Sequence, residues 1–276
     1  MNRDPRFWMW GYVLDTVPGS AFFVDGETQC SLETAAEYLD CGSVFWMNSL
    51  HDIDALNDEQ ASRLDKFNVA CGLTHVETNG PGKGGWKVLY AESAAKVSEL
   101  SLLHPNITGA LIDDFRSPTG PSRYLTAQDV KEIKAALVSK NPNLKLYIVQ
   151  YHTSQKPQDA TDCLEYIDGL TIWDWVSSNY FWESLYCDQI REFKEAYPDK
   201  IRIQGQFLHD YGNTGGAISL AQEKLQCQRI AQKMDSKEID GWCVIQSGWF
   251  CREDHRCQVE FLKNYWNWYR GTRTQR

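Results

Sequence analysis

Short hydrophobic runs recur along the whole chain and alternate with segments of helical periodicity. Each run is five to nine residues long, combines aliphatic with aromatic residues, and ends near Gly, Pro, Asn or Asp. Runs of this length that are bounded by turn-forming residues are typical of buried β-strands. The predicted strands cover residues 8–14, 43–47, 70–76, 107–115, 144–151, 169–175, 201–207 and 241–247.

Segments with apolar residues three and four positions apart lie between these runs and after the last one. The clearest begins at Thr126, a favourable N-cap, and carries Val130, Ile133 and Leu137 on one helical face. The predicted helices cover residues 31–39, 58–67, 91–103, 126–138, 160–166, 180–197, 217–234 and 258–270.

The alternation of strands with helices, without a low-complexity linker, favours a single α/β domain over residues 1–276. The most economical arrangement is a (β/α)8 TIM barrel. The alternative is a doubly wound open sheet, which normally opens with a glycine-rich phosphate-binding turn after its first strand. The corresponding stretch here is Leu-Asp-Thr-Val-Pro-Gly, so the barrel is the predicted fold.

Charge and hydropathy exclude several classes of partner. The net charge is −9 and no basic run occurs, which argues against nucleic acid and anionic membrane surfaces as partners. No apolar run reaches the roughly 18 residues needed to cross a bilayer, and the N-terminus has no apolar signal-peptide core. We therefore expect a soluble protein, either cytoplasmic or secreted with its signal absent from this chain. The sequence does not fix the oligomeric state.

Cysteine spacing and one glycine-rich loop exclude other kinds of site. The nine cysteines contain no Cys-x-x-Cys pair, which argues against a zinc ribbon or a redox motif, although Cys251 and Cys257 flank a polar loop and could form a bridge. Residues 79–86 are rich in glycine but lack the order of a phosphate-binding loop. A mobile loop over an open site fits this segment better.

Acidic residues follow several of the predicted strands. Asp113 and Asp114 end the fourth strand, where two adjacent carboxylates are costly unless they are paired, hydrogen-bonded or in use. Asp174 follows the sixth strand and Glu77 the third. Side chains alternate along a strand, so we expect Asp113 and Asp114 to face opposite ways, with one of them toward the barrel axis. Which one faces inward is not determined by the sequence.

Amides and aromatic residues occupy other strand ends, and these ends meet at one rim of a TIM barrel. Amides exchange hydrogen bonds with hydroxyl groups and aromatic faces stack on sugar rings, so this set indicates a carbohydrate ligand. The period of two predicts that Gln204 and Gln206 share a face, which we expect to be the inward one. Tyr151 and Trp173 are further aromatics at the rim, without an assigned role. The candidate binding residues are Trp10, Tyr12, Trp46, Gln150, His152, Trp175, Gln204, Gln206, His209, Asp210, Gln246 and Trp249.

Carboxylates after the fourth and sixth strands resemble the arrangement in retaining α-glycosidases of the galactosidase type. The resemblance implies a nucleophile at Asp113 or Asp114 and a general acid/base at Asp174. We expect Asp113 and Asp114 to supply either the nucleophile or the charge that stabilises the transition state, with Glu77 and Asp210 as substitutes for Asp174. Chitinase-type barrels end the fourth strand in Asp-x-Asp-x-Glu, whereas here Leu-Ile-Asp-Asp-Phe-Arg has no glutamate. The hypothesis is therefore a glycoside hydrolase of no specific family, acting on an oligo- or polysaccharide through strand-end carboxylates without a cofactor or metal.

Two alternatives remain open at this level. A metal-dependent barrel hydrolase or isomerase would use His152, His209 and nearby acids, since imidazole and carboxylate together suit divalent metals. A barrel that binds carbohydrate without catalysis would carry the same amides and aromatics.

Overall fold

The computed structural model describes residues 3–14, 30–47, 52–78, 85–152, 155–174, 178–212 and 215–273. Ten β-strands occur within these ranges. They are β1 (Asp4–Tyr12), β2 (Cys41–Met47), β3 (Asn68–Gly72), β4 (His75–Glu77), β5 (Trp86–Val88), β6 (Ile107–Ile112), β7 (Lys145–Tyr151), β8 (Gly169–Trp173), β9 (Ile201–Phe207) and β10 (Gly241–Ile245).

Eight of these strands form a closed parallel barrel in the order β1-β10-β9-β8-β7-β6-β3-β2. The barrel closes where β1 pairs with both β2 and β10. Strands β4 and β5 form a separate antiparallel hairpin inserted between β3 and the helix that follows. The predicted (β/α)8 TIM barrel is therefore confirmed.

Helices cover the outside of the barrel because each buries an apolar face against the strands. The helix after β6 begins with a capping box in which the Thr126 hydroxyl and the Asp129 carboxylate each bond the other residue's backbone amide. No helix in the described part of the chain is long and apolar enough to span a membrane. The helices are α1 (Leu32–Tyr38), α2 (Asp58–Ser62), α3 (Tyr90–Leu103), α4 (Ala127–Leu137), α5 (Tyr186–Ala196), α6 (Leu220–Asp235) and α7 (Arg256–Arg273).

Some predicted elements differ from the observed ones. The third predicted strand splits, because the chain leaves the barrel after Gly72 and its residues from His75 onward pair with β5 instead. The predicted helix at residues 160–166 is a 3-10 helix at Pro157–Cys163. Proline lacks the amide hydrogen that α-helical bonding requires in a helix interior, so it suits the first turn of this short element.

Large aromatic rings fill the interior of the barrel. Trp8 stacks on Phe45 with ring centroids 4.4 Å apart, and Tyr147 meets Trp8 edge-on at 6.0 Å. Nearer the carboxyl ends of the strands, Trp173 meets Trp10 edge-on at 5.6 Å and Phe207 at 5.2 Å. These rings form a packed core rather than a pore, and they set which face of each strand points inward.

Glycines opposite the rings make this packing possible. A Cβ atom at Gly205 would overlap the ring system of Trp173, and one at Gly169 would lie 2.8 Å from the ring of Tyr147. Each of these two strands therefore has a glycine at the level where the neighbouring strand contributes a large ring.

The outward faces of the strands pack under the helices, and several candidate binding residues lie there. The prediction that Gln204 and Gln206 face the axis is wrong, because Ile203 and Phe207 occupy the inward positions of β9. Gln204 donates to the carbonyl of Ile172 at 2.9 Å. Gln206 accepts a 2.9 Å bond from the Trp242 indole on the outer side of the barrel. Aromatic and aliphatic side chains occupy the inward positions of β9, so the amides of Gln204 and Gln206 point outward.

Trp46 and Gln150 also belong to the outer layer. Trp46 is fully buried in the core between barrel and helices. Gln150 is fully buried and lies against Tyr197 at the end of α5. Their outward orientation separates both side chains from the barrel axis.

Glu223 is an unusual member of this outer layer. It lies in the first turn of α6, is fully buried, and neither carboxylate oxygen has a hydrogen-bond partner. Burial raises the pKa of its carboxyl from 4.5 to about 9. The folded protein therefore holds Glu223 as the neutral acid at neutral pH, whereas the unfolded chain ionises it.

We predict that Glu223→Gln stabilises the protein in a pH-dependent way. Because the folded-state pKa is raised, the contribution of Glu223 to stability is fully present below about pH 4.5 and is lost as pH rises toward about pH 9. Glutamine has no such loss, so the gain in unfolding free energy is about 2–3 kcal/mol at neutral pH and grows toward alkaline pH. Denaturant unfolding at acidic, neutral and alkaline pH measures it. Glu192→Gln, on the exposed face of α5, is the control; an equal gain at every pH would contradict the prediction.

We also predict that Gly205→Ala destabilises the barrel by about 1–3 kcal/mol, because the new methyl group forces Trp173 out of its packed position. Thermal unfolding and the near-ultraviolet circular dichroism of the tryptophans measure the effect. Gly216→Ala is the matched control, since a Cβ atom there meets open space. Equal stability of the two variants would rule out tight packing at Gly205.

Candidate active site

A cavity of about 360 Å³ opens at the carboxyl ends of the barrel strands, above the interior rings. This is the rim where barrel enzymes bind their substrates. The cavity combines carboxyl, hydroxyl and amide groups with several aromatic faces. Its lining residues are Trp10, Tyr12, His75, Trp86, Asp113, Asp114, Thr119, Gly120, Pro121, Tyr151, Trp173, Tyr211, Ile245 and Gln246.

Asp113 and Asp114 both line this cavity, so the prediction that they face opposite ways is wrong. Asp113 continues the inward phase of Leu111. The backbone then leaves the strand conformation at Asp114, which has a φ of 47°. This left-handed conformation turns the second carboxyl toward the first, and the Asp114 amide donates a 2.8 Å hydrogen bond to the Asp113 carboxylate.

Several contacts hold this turn in an otherwise unfavourable conformation. Phe115 is fully buried in the outer core and anchors the chain just after the pair. The Ser122 hydroxyl donates to the Asp114 carbonyl at 2.6 Å. Arg116, also left-handed with a φ of 53°, binds both oxygens of Asp162 at 2.7 and 2.9 Å. A non-glycine residue at positive φ costs about 1 kcal/mol or more, and such conformations cluster at functional sites.

The electrostatics of the pair favour retention of a proton. Burial raises the pKa of Asp113 well above its ordinary value, and the charge of Asp114 raises it further. Burial also raises the pKa of Asp114, while a hydrogen bond from the Tyr151 hydroxyl lowers it. Two adjacent carboxyls in one buried site cannot easily ionise together. The pKa of Asp113 is raised further than that of Asp114, so Asp113 is the carboxyl that holds a proton more readily.

Tyrosine hydroxyls surround the two carboxyls. Burial and the charges of the pair raise the pKa of Tyr12 and of Tyr151 well above the ordinary range. Both phenols consequently remain protonated and available as hydrogen-bond donors. Within the described part of the chain, no Lys or Arg side chain lines the cavity.

Aromatic walls come from the barrel and from the inserted hairpin. Trp10 and Trp173 form the floor as the upper layer of the interior rings. His75 on β4 and Trp86 on β5 contact each other edge-on, with ring centroids 5.1 Å apart, and close one side. Residues 79–84, which belong to the glycine-rich loop that was predicted to be mobile, lie outside the described residues.

A hydrogen-bonded aromatic cluster forms the opposite wall. Tyr211 accepts a 2.9 Å bond from the Trp249 indole and contacts Gln246, which follows a cis peptide bond after Ile245. Trp249 stacks on His209 with centroids 4.2 Å apart. Trp249 and His209 therefore support the wall from behind without lining the cavity. Asp210, which precedes Tyr211, is also buried, and its carboxylate accepts a hydrogen bond from the Gly212 amide at 3.2 Å.

Asp174 and His152 form a separate buried pair. The His152 Nε2 atom lies 3.4 Å from an Asp174 carboxylate oxygen, and the imidazole stacks on Phe181 with centroids 3.7 Å apart. Burial lowers the pKa of His152 to about 4, so the ring is neutral at ordinary pH. Neither residue lines the cavity that contains Asp113 and Asp114.

The cavity thus brings together only part of the predicted set. Trp10, Tyr12, Asp113, Asp114 and Gln246 line it. Trp175 and the side chain of Glu77 lie outside the described residues. His75, Trp86 and Tyr211 were not among the candidates, and Tyr151 and Trp173 were rim aromatics without a role.

Different signals could have found these missed residues. Tyr151 ends a predicted strand and Trp173 lies two residues before the end of another, and they are in phase with Val149 and Thr171. His75 and Trp86 carry no such signal, because they enter through a hairpin that the repeat of strands and helices does not predict.

Histidines and acids do not converge on a metal site in the part of the chain that the structure describes. No group of three or more His, Cys, Asp or Glu side chains there could hold a metal ion. His152 pairs with Asp174, whereas His209 contacts His255 through their ring nitrogens at 3.1 Å.

Comparisons with solved structures support the fold assignment. No protein-family model matches the sequence, and a search of curated proteins found no match. Among solved structures, the α-L-fucosidase AlfC from Lactobacillus casei in complex with α-L-fucose product is 11% identical, with 97% of this chain and 96% of that chain covered and a TM-score of 0.55. The catalytic domain of the major endoglucanase from Xanthomonas campestris pv. campestris is 12% identical, with 84% and 86% covered and a TM-score of 0.54.

The catalytic domain of a family GH18 chitinase from the fern Peteris ryukyuensis is 11% identical, with 92% of this chain and 98% of that chain covered and a TM-score of 0.52. At these identities the likeness concerns the fold alone. The structural neighbours of this chain include glycoside hydrolases built on the same closed eight-stranded parallel barrel, and no specific family is assigned.

Proposed function

We propose that the protein is a glycoside hydrolase whose reacting carboxyl groups are Asp113 and Asp114. The observation that carries the proposal is the position of both carboxyls in an aromatic-lined cavity at the catalytic rim of the barrel. Glycosidic bonds are cleaved by a pair of carboxyl groups of which one is an acid and the other a carboxylate. The pKa of Asp113 is raised further than that of Asp114, which favours Asp113 as the acid and Asp114 as the carboxylate.

The cavity lining supports a neutral sugar as the ligand. Indole rings at Trp10, Trp86 and Trp173 offer apolar faces for the C–H surface of a sugar. The hydroxyls of Tyr12 and Tyr151 can bond sugar hydroxyls. An acidic sugar would meet two carboxyl groups and, among the described lining residues, no compensating Lys or Arg.

The proposed reaction uses the two carboxyls in different states. Asp113 gives its proton to the glycosidic oxygen, so the bond to the anomeric carbon breaks as a neutral alcohol leaves. The Asp114 carboxylate stabilises the positive charge that develops on the sugar ring. Water then adds to the anomeric carbon, and its released proton restores the acid.

Asp174 has no part in this proposal. Its carboxylate contacts His152 in a buried pair outside the cavity, so it lacks access to a sugar that contacts Asp113. In this proposal the Asp113–Asp114 pair supplies both the acid and the charge-stabilising carboxylate. Strand position alone assigns these roles to the ends of the fourth and sixth strands.

A carbohydrate-binding barrel without catalysis is the second candidate, because the aromatic walls and hydroxyls would serve binding equally well. A panel of aryl glycosides and oligosaccharides separates the two. Sugar binding without turnover on any member of the panel would favour the binding barrel.

We predict that Asp113→Asn lowers kcat/KM on a hydrolysed glycoside by about 10²- to 10⁴-fold, because the amide cannot donate the proton that the leaving oxygen needs. Asp114→Asn lowers it as well, since the charge that stabilises the transition state is lost. Sugar affinity stays largely intact in both variants. Steady-state kinetics and calorimetric binding measure these effects.

The control for the two aspartate variants is Asp199→Asn, an exposed residue before β9 at the opposite end of the barrel. Thermal unfolding checks folding, and neither Asp113→Asn nor Asp114→Asn should lose stability, because each removes a carboxyl that burial disfavours. Undiminished turnover in Asp113→Asn would exclude it as the acid.

We also predict that Tyr151→Phe shifts the pH profile. The Tyr151 hydroxyl bond lowers the pKa of Asp114, so its removal raises that pKa and moves the rising acidic limb of kcat/KM to higher pH. Kinetics across the pH range measure the limb, with Tyr124→Phe on an exposed loop as control. A uniform loss of activity at every pH would assign Tyr151 to substrate contact instead.

A further inference from the structure

Two cysteine thiols meet near the place where the barrel closes. Cys30 precedes α1 and is buried, and its thiol donates to the Ser31 carbonyl at 3.6 Å. Cys251 ends the 3-10 helix Ser247–Cys251 and is exposed. This short helix packs against α1, which brings the Cys251 thiol close to the Cys30 thiol.

We propose that Cys30 and Cys251 form a disulfide when the protein meets a low-molecular-weight disulfide such as oxidised glutathione. Both are free thiols in the structure. The bridge predicted as possible between Cys251 and Cys257 is also absent there, and Cys257 is exposed. The Cys251 thiol instead lies close to the buried Cys30 thiol, just before α1.

Their different exposure fixes the order of the exchange. Cys251 is open to solvent, so its thiolate attacks one sulfur of the oxidant and releases one reduced thiol, which leaves Cys251 as a mixed disulfide. Cys30 is shielded from the oxidant but adjacent to the Cys251 sulfur. As the Cys30 thiol gives up its proton to the departing sulfur, its own sulfur attacks the Cys251 sulfur, releases the second reduced thiol and completes the bridge. Two protein thiols lose two hydrogens, and one oxidant disulfide becomes two thiols.

The bridge would join segments that are far apart in sequence but adjacent in space. One segment leads from β1 into α1, and the other leads from β10 into α7. The second segment also contains Trp249, whose indole bonds Tyr211 on the cavity wall. A covalent link here restrains the unfolded chain over a long loop and ties the cavity wall to the first helix.

The experiment incubates the native full chain with oxidised glutathione, blocks remaining thiols with a maleimide, and digests with Glu-C and chymotrypsin. Cleavage after Glu27, Glu33 and Phe250 separates Cys30 from Cys41 and Cys251 from Cys243. We expect the linked Cys30–Cys251 peptide as the main disulfide product. We also expect a rise of several degrees in Tm that dithiothreitol reverses.

Cys251→Ser and Cys257→Ser form a matched pair, because both positions are exposed and Cys251→Ser leaves the buried Cys30 in place. Cys257→Ser should keep both the linked peptide and the Tm rise, whereas Cys251→Ser should lose both. Recovery of Cys251 only as a mixed disulfide, as a free thiol, or joined to Cys257 would overturn the proposal.

Discussion

The packing of large rings inside the barrel is the constraint on which the rest of the structure depends. Side chains alternate across a strand, so a ring at one inward position determines the direction of every other residue of that strand. Trp173 and Phe207 fill the upper layer and leave no interior space for the amides of β9, which turn outward. The same rings form the floor of the cavity. These rings therefore determine both the packing of the barrel and the shape of the site. Gly205 makes both possible, because a side chain there would overlap the ring of Trp173.

The aspartate pair illustrates how a local backbone change alters what the strand phase dictates. A regular strand would have sent Asp114 under the helices. Its left-handed conformation, held by buried Phe115 and by Ser122, brings the second carboxyl beside the first. The fold thereby keeps two mutually repelling groups in one site, and the conformational cost is offset by contacts that lie outside the cavity.

Sequence patterns predicted the fold well because hydrophobic periodicity reports directly on burial. All eight barrel strands overlap the apolar runs that predicted them, although the third run splits after Gly72, and Asp113 and Asp114 could be assigned to the rim. Orientation was harder, because both faces of a parallel barrel strand are buried and the pattern does not distinguish axis from helix layer. The prediction that Gln206 faces the barrel axis is wrong for this reason. His75 and Trp86 could not be found, since an insertion obeys no repeat.

The hairpin that carries His75 and Trp86 has an evolutionary consequence. Within the described residues, its two strands pair only with each other and take no part in the hydrogen-bond ladder of the barrel. Its sequence and length can therefore drift while the register of the eight strands and the ring packing stay unchanged. One wall of the cavity is in this sense modular: ligand preference could diversify among descendants of this chain through the hairpin, at little risk to the stability of the fold.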